Sequence, residues 1–289
     1  MRPASASARR SRPLLGTFVE IQAGGVSRGQ LDAAIEETFR IVAQVHRLMS
    51  PRDPNSDVSR LNREAWTRAV TVHPWTSEVL GTALELQAAT GGLFDIGVAP
   101  SSWVDPLPPR PAIELMDGHR VHFVRPDLSI DLGGIAKGFA VDRAVASLRA
   151  RDVPHGVVNA GGDVAAFGRH ATPIAIRDPR HPRSILCQLE LTNEALASSG
   201  GRIDLFESAP VTASAVLDPR TGAPARTILG ATVRASTCMA ADALTKVVML
   251  GGESMTALLA HYRASALFLA ADGQLHITSD WSGRVRLAA

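Results

Sequence analysis

Residues 129–142 of this 289-residue chain read SIDLGGIAKGFAVD. A carboxylate (Asp131), two glycines and a lysine (Lys137) fall between an apolar run and the apolar opening of a helix. Glycines at a strand-to-helix junction let the backbone turn tightly and come close to a ligand. The N–H groups at a helix start favour an anion, and a nearby lysine adds a mobile positive charge. That is the chemistry of a phosphate cradle. The spacing matches neither the dinucleotide fingerprint GxGxxG nor a P-loop, which needs GKS or GKT. Taken alone, the stretch reads equally well as an ordinary glycine turn with a surface lysine.

Four further stretches bear on that choice. TGGLFDIGVAP (90–100) sets Asp95 in another glycine turn, and NAGGDVAAFG (159–168) is a glycine hairpin holding Asn159 and Asp163. In LDPRTGAPA (217–225), Asp218-Pro219 and Gly222 demand a fixed turn, and Asp218 by itself reads as a loop-capping residue. ADALTK opens a helix with Asp242 and Thr245 in its first turn. The chain has 30 basic residues but only two lysines, Lys137 and Lys246. Codon bias accounts for arginine in general. A surviving lysine suits a place where a compact point charge fits and a planar guanidinium fork does not.

The elements that must position these residues alternate between helix and strand. Strands are predicted at 14–22, 120–124, 128–132, 156–159, 163–167, 173–176, 185–191, 230–235, 265–270 and 274–278. Helices are predicted at 29–50, from a cap at Thr76 or Ser77 to Ala89, and at 135–149, 239–250 and 253–263. Residues 51–62 read as a loop followed by a helix-like start, and 101–112 as a proline-rich segment. Hairpin neighbours such as 265–278 favour antiparallel sheet over a doubly wound parallel one.

A hydrophobic fraction of 45% and a net charge of +2 describe a globular chain without the electrostatics of nucleic-acid binding. No apolar run approaches the roughly 20 residues of a membrane span. The N-terminus has basic residues but no apolar segment behind them, so residues 1–12 are expected to be a disordered arm and the location cytoplasmic. Cys187 and Cys238 stand far apart, outside any metal-binding spacing, and are expected to be buried small apolar residues.

Taken together and in this order, the stretches resemble the ApbE-type flavin transferases, the FAD:protein FMN transferase family. The matching residues are 131–138, 159–163 and 218–222, within a likeness running from LLGTFVEI to VVMLGG. The resemblance implies an α+β fold of paired antiparallel T-fold-like layers over residues 13–289, with an FAD pocket between them. It implies transfer of FMN from FAD to a Thr or Ser hydroxyl of a partner flavoprotein, release of AMP, and a divalent metal, Mg²⁺. Carried over by position, flavin contacts fall on Leu15, Arg52, Leu93, Phe94, Asp95, Asp131, Lys137 and Val216. Metal contacts fall on the Gly134 carbonyl, Asp242 and Thr245, with Asp242 and Lys246 at the catalytic centre.

Four positions depart from the family pattern. Leu15 replaces a methionine, Arg52 a tyrosine, Ala215 a histidine and Lys246 a threonine. Ala215 can act as no general base. An ammonium at 246 cannot ligate Mg²⁺. Four residues after Asp242 on a helix, it is expected to pair with that carboxylate and meet the FAD diphosphate. Two readings follow: a transferase with a variant centre, or an FAD-binding or flavin-delivery protein of the same fold.

Overall fold

The structure, a computed structural model, describes residues 6–98, 112–181, 183–200, 216–281 and 285–288. The chain opens with a hairpin of β1 (Ala6–Leu14) and β2 (Thr17–Val26), so from Ala6 onward the expected disordered arm is paired strand. Its basic side chains suggested a solvated tail. They are instead tied down, Arg9 to Glu20 at 2.7 Å and Arg12 to Glu36 at 2.6 Å, with the Arg12 guanidinium over the Phe39 ring.

α1 (Arg28–Met49) buries Leu31, Ile35, Phe39, Val42 and Val45, the stripe its sequence spacing predicts. α2 (Asp57–Glu64) starts inside the segment read as loop, because the Ser56 hydroxyl accepts the Ser59 N–H and caps a helix there. After β3 (Val70–Thr71), α3 (Pro74–Ala89) begins at Pro74, with His73 as its cap. The expected cap Thr76 instead donates to Asp57. The strands β4 (Gly97–Val98), β5 (Ile113–Met116), β6 (Arg120–Phe123) and β7 (Ser129–Ile130) lead into α4 (Ala136–Arg149).

Five strands follow: β8 (His155–Ala160), β9 (Asp163–Phe167), β10 (Thr172–Arg177), β11 (Ile185–Leu191) and β12 (Glu194–Gly200). Then come β13 (Ile228–Ala235), α5 (Cys238–Gly251), a 3₁₀ turn and α6 (Thr256–His261). The chain closes with β14 (Ser265–Ala270), β15 (Leu275–Ile277) and β16 (Arg286–Leu287). Ala215 and most of the proline-rich segment lie outside the described residues.

The main sheet has eight strands in the order β1-β2-β8-β9-β12-β13-β14-β15, and every pairing in it is antiparallel. It is two four-stranded halves joined where β9 meets β12. α1 and α4 cover the first half, and α5 packs on β12 and β13 of the second. The α+β class with paired antiparallel layers is therefore as expected. A small sheet of β10, β11 and β16 closes a second core on other side chains of the same sheet, around Val164, Leu189, Leu196 and Trp281.

Both cysteines are free and fully buried. Burial pushes the Cys187 thiol up to about 11 and Cys238 well above its ordinary value, as suits packing residues. Among the described residues one helical run, Cys238–His261, is long and apolar enough to cross a membrane, with mean hydropathy 1.2. It spans α5 and α6, is interrupted by the 3₁₀ turn, and lays α5 against the sheet.

Candidate FAD site

The site grows out of the contact between α4 and α5. At Gly138 the two helices approach so closely that an added Cβ would lie 2.6 Å from the Cys238 carbonyl carbon and 2.8 Å from Asp242 Cβ. This is the glycine of the opening stretch whose missing side chain the fold requires. Gly133 and Gly134, more conspicuous in the sequence, adopt no left-handed φ. A Cβ on Gly134 would make ordinary contacts, 3.6 Å from Lys246 Cε and 3.7 Å from Phe94 Cε2.

The helices cap one another. Ile135, the residue before α4, offers no side-chain cap, and the Gly138 N–H in the first turn donates to Asp242 Oδ2 at 3.1 Å. The anion at this helix start is thus the chain's own carboxylate, where the sequence suggested a ligand phosphate. In return, Asp142 of α4 accepts the Cys238 and Met239 N–H groups of α5, each at 2.8 Å.

Both lysines of the chain converge on Asp242. Lys246 Nζ is hydrogen-bonded to Asp242 Oδ1 and donates to the Asp242 carbonyl at 2.9 Å. Lys137 Nζ lies 3.3 and 3.4 Å from the two Asp242 oxygens and also pairs with Asp163 at the start of β9. Burial alone pushes Asp242 up, but Lys246 and Lys137 outweigh it and hold the carboxyl below its ordinary value. Burial would lower the Lys137 amine, yet Asp242 and Asp163 together hold it above its usual range. Asp163 is raised, by burial first and then by the neighbouring Asp242 charge.

Above this cluster opens a cavity of about 480 Å³. Its walls come from four places: Leu93–Val98, the 131–137 turn with Gly161, Ser198–Gly200 at the end of β12, and Val216, Leu217 and Pro219. Lys246 and Leu250 of α5 complete it. Each wall is locally fixed. Asp95 accepts Gln87 Nε2 at 2.6 Å and the Gly97 N–H at 2.7 Å, and burial raises its pKa. Asp131 accepts the Gly133 N–H at 2.6 Å. Asp218 takes the Arg220 N–H and guanidinium and its own carbonyl closes on Gly222, the loop-capping role read for it.

Of the residues singled out from sequence, Leu93, Phe94, Asp95, Asp131, Gly134, Lys137, Val216 and Lys246 line this one cavity. Asp242 is buried beneath it. Leu15 and Arg52 are not among the lining residues. Leu15 sits with Gly16 at the tip of the first hairpin, at φ 57° and 72°, a two-residue turn of the primed type. Arg52 is an exposed residue after α1. Asp163, which anchors Lys137, and the Ser198–Ser199 wall were not predicted as site residues. β12 went unseen because EALASSG is built of small residues with little strand signature. The signal available for Asp163 was its place at the end of a glycine hairpin turn, as the first residue of a strand.

The proposed metal ligands do not fit a divalent cation. Each Asp242 oxygen is already met by lysine, and one also by the Gly138 N–H. The Thr245 hydroxyl donates to the Asp242 carbonyl at 2.7 Å and lies 2.6 Å from Ser199 Oγ. Asp163 and Asp242 are buried while Lys137 and Lys246 line the cavity, so a dication entering from it meets the two ammoniums before either carboxylate. Among the described residues no three His, Cys, Asp or Glu side chains converge as a metal site.

The chain is similar to known proteins along most of its length. An FAD:protein FMN transferase of Vibrio cholerae is 29% identical over 84% of this chain and 81% of its own length. Another, from Rhodobacter capsulatus, is 26% identical over 94% of this chain, which spans 57% of that longer relative. In fold, the ApbE protein of Thermotoga maritima superposes with a TM-score of 0.84 at 24% identity, covering 96% of this chain and 99% of that one. The flavin transferase ApbE of Vibrio cholerae gives 0.80 at 23% identity, over 97% and 99%. The ApbE family model matches residues 15–268, and with the two-lysine cavity lying within that span, the chain belongs to the ApbE family.

Proposed function

We propose that this protein is an FAD:protein FMN transferase, using FAD as substrate and moving FMN to a Thr or Ser hydroxyl of a partner flavoprotein. The observation that carries the reading is the cavity itself. An apolar wall from Leu93, Phe94 and Val216, suited to a flavin ring, adjoins a base where Lys137 and Lys246 present positive charge. In the transfer, the acceptor oxygen bonds to the FMN-side phosphorus and the bridging P–O bond to AMP breaks. The hydroxyl proton passes to water, and AMP departs with the bridging oxygen.

Such a phosphoryl transfer needs little covalent help from protein; positioning and charge neutralisation supply most of the effect. Lys137 and Lys246 are fixed by Asp163 and Asp242, so their charges need no rearrangement as the diphosphate splits. Asp131 is exposed and lines the same cavity, which supports a role for it in holding the nucleotide. The shared name of the relatives favours transfer over flavin delivery alone.

The test is incubation of purified protein with FAD and candidate flavoproteins, followed by denaturation. Covalent flavin fluorescence on the partner, with matching AMP release, is the expected result. Bound FAD without either product would reduce the chain to a flavin carrier. Asp131→Ala should weaken FAD binding in calorimetry; unchanged affinity would place the nucleotide elsewhere.

A further inference from the structure

Lys246 and Asp242 stand four apart on α5, so they share a face of the helix. The lysine stem runs beside Gly134, and its Nζ bonds both the Asp242 carboxylate and the Asp242 carbonyl. The amine therefore occupies the space between the Gly134 turn and Asp242. An ammonium has three N–H donors. Two are used on Asp242, which leaves one for a ligand in the cavity that Lys246 lines. Thr245 is turned away, its hydroxyl engaged with Ser199 and the Asp242 carbonyl, and it is fully buried. The Lys246 side chain keeps 19% exposure, so it can meet a ligand.

We propose that Lys246 stands where a divalent cation would have to bind, so that this chain holds the FAD diphosphate by fixed lysine charge and without metal. The inference rests on the FAD-binding reading above. A compact ammonium suits this role: it gives a point charge and a strong charge-assisted hydrogen bond to a phosphate oxygen. Lys137, shared between Asp163 and Asp242, supplies a second cation beside it.

The experiment is calorimetric titration of the intact protein with FAD, once in chelator and once in saturating Mg²⁺. The two affinities should agree within about twofold. Lys246→Met should weaken FAD binding about tenfold or more in both buffers, the loss of one charge-assisted bond. Riboflavin, which lacks the diphosphate, should bind both proteins alike. Lys246→Thr should bind FAD better in Mg²⁺ than in chelator. Titration of the unaltered protein with Mn²⁺ alone, read by electron paramagnetic resonance, needs no variant to fold and should show only weak, unsaturable binding. Tight Mn²⁺ binding, or FAD binding that collapses in chelator, overturns the inference while leaving the transferase reading intact. Failure to bind FAD in either buffer overturns both.

Discussion

Two aspartates brace the same pair of helices, and their settings differ in an informative way. Asp142 of α4 spreads its carboxylate over two N–H groups at the start of α5. Asp242 of α5 accepts a single N–H of α4 and two lysines. Burial lifts Asp142 to about 6, the two N–H bonds lowering it only in part and Glu78 adding to the rise. Asp242 is the more deeply buried, yet its lysines hold it below the ordinary carboxylate value. Geometry alike in kind thus separates by charge partners: one carboxylate joins helices, the other holds cations under a cavity.

The sharpest way to break this contrast is Asp242→Ala. It leaves the Lys246 ammonium and the Gly138 N–H without their carboxylate and Lys137 with Asp163 alone, so urea unfolding should show a loss of about 3 to 5 kcal/mol. Adding Lys246→Met to that variant should recover part of the loss, because the unpaired charge goes with it. Strict additivity of the two changes would mean that the pair is not coupled. Next in size is Gly138→Ala, where the new methyl meets the Cys238 backbone and must push α4 from α5. A loss of about 1 to 3 kcal/mol is expected. Since the same shift would move Lys137 away from Asp242, FAD affinity should fall as well.

Asp142→Ala should cost about 1 kcal/mol near neutral pH, a helix cap rather than a cation anchor. FAD affinity measured by calorimetry should not change. The two aspartates also predict opposite pH trends. A carboxyl raised to about 6 binds a proton in the folded state before it does in the unfolded one, so its contribution grows as pH falls from about 6 toward 4. The cost of Asp142→Ala should grow over that range. Asp242 is lowered, so its contribution is full above the unfolded value of 3.8 and fades as pH drops through its folded value. The cost of Asp242→Ala should shrink at strongly acid pH. Parallel trends in unfolding series of the two variants would mean that the two carboxyls do not differ in their charge partners.

Much of the frame was legible beforehand. The apolar stripe of α1 and the alternation in β8 and β11 reported burial directly, because a helix or strand with one covered face repeats at a fixed period. Elements whose stability comes from elsewhere were missed. β1 carries arginines held by carboxylates of β2 and α1, β12 carries small residues that pack under α5, and α2 starts at a Ser56 cap inside a stretch of turn formers. Within the site, glycine spacing drew attention to Gly133 and Gly134, whereas the close approach falls at Gly138.

The sequence by itself determined which chemical groups the protein has to work with: two lysines among thirty basic residues, each beside a motif, and an aspartate four residues before one of them. The i to i+4 relation of Asp242 and Lys246 follows from helical geometry alone, which is why it could be foreseen. The tertiary structure alone decided that Lys137, 105 residues from Asp242, shares the same carboxylate, and that Asp163 joins them from a strand. No local period encodes contacts at that separation. They exist because α4 and α5 pack across a glycine, and because a buried carboxylate is stable there only when cations and N–H groups meet it.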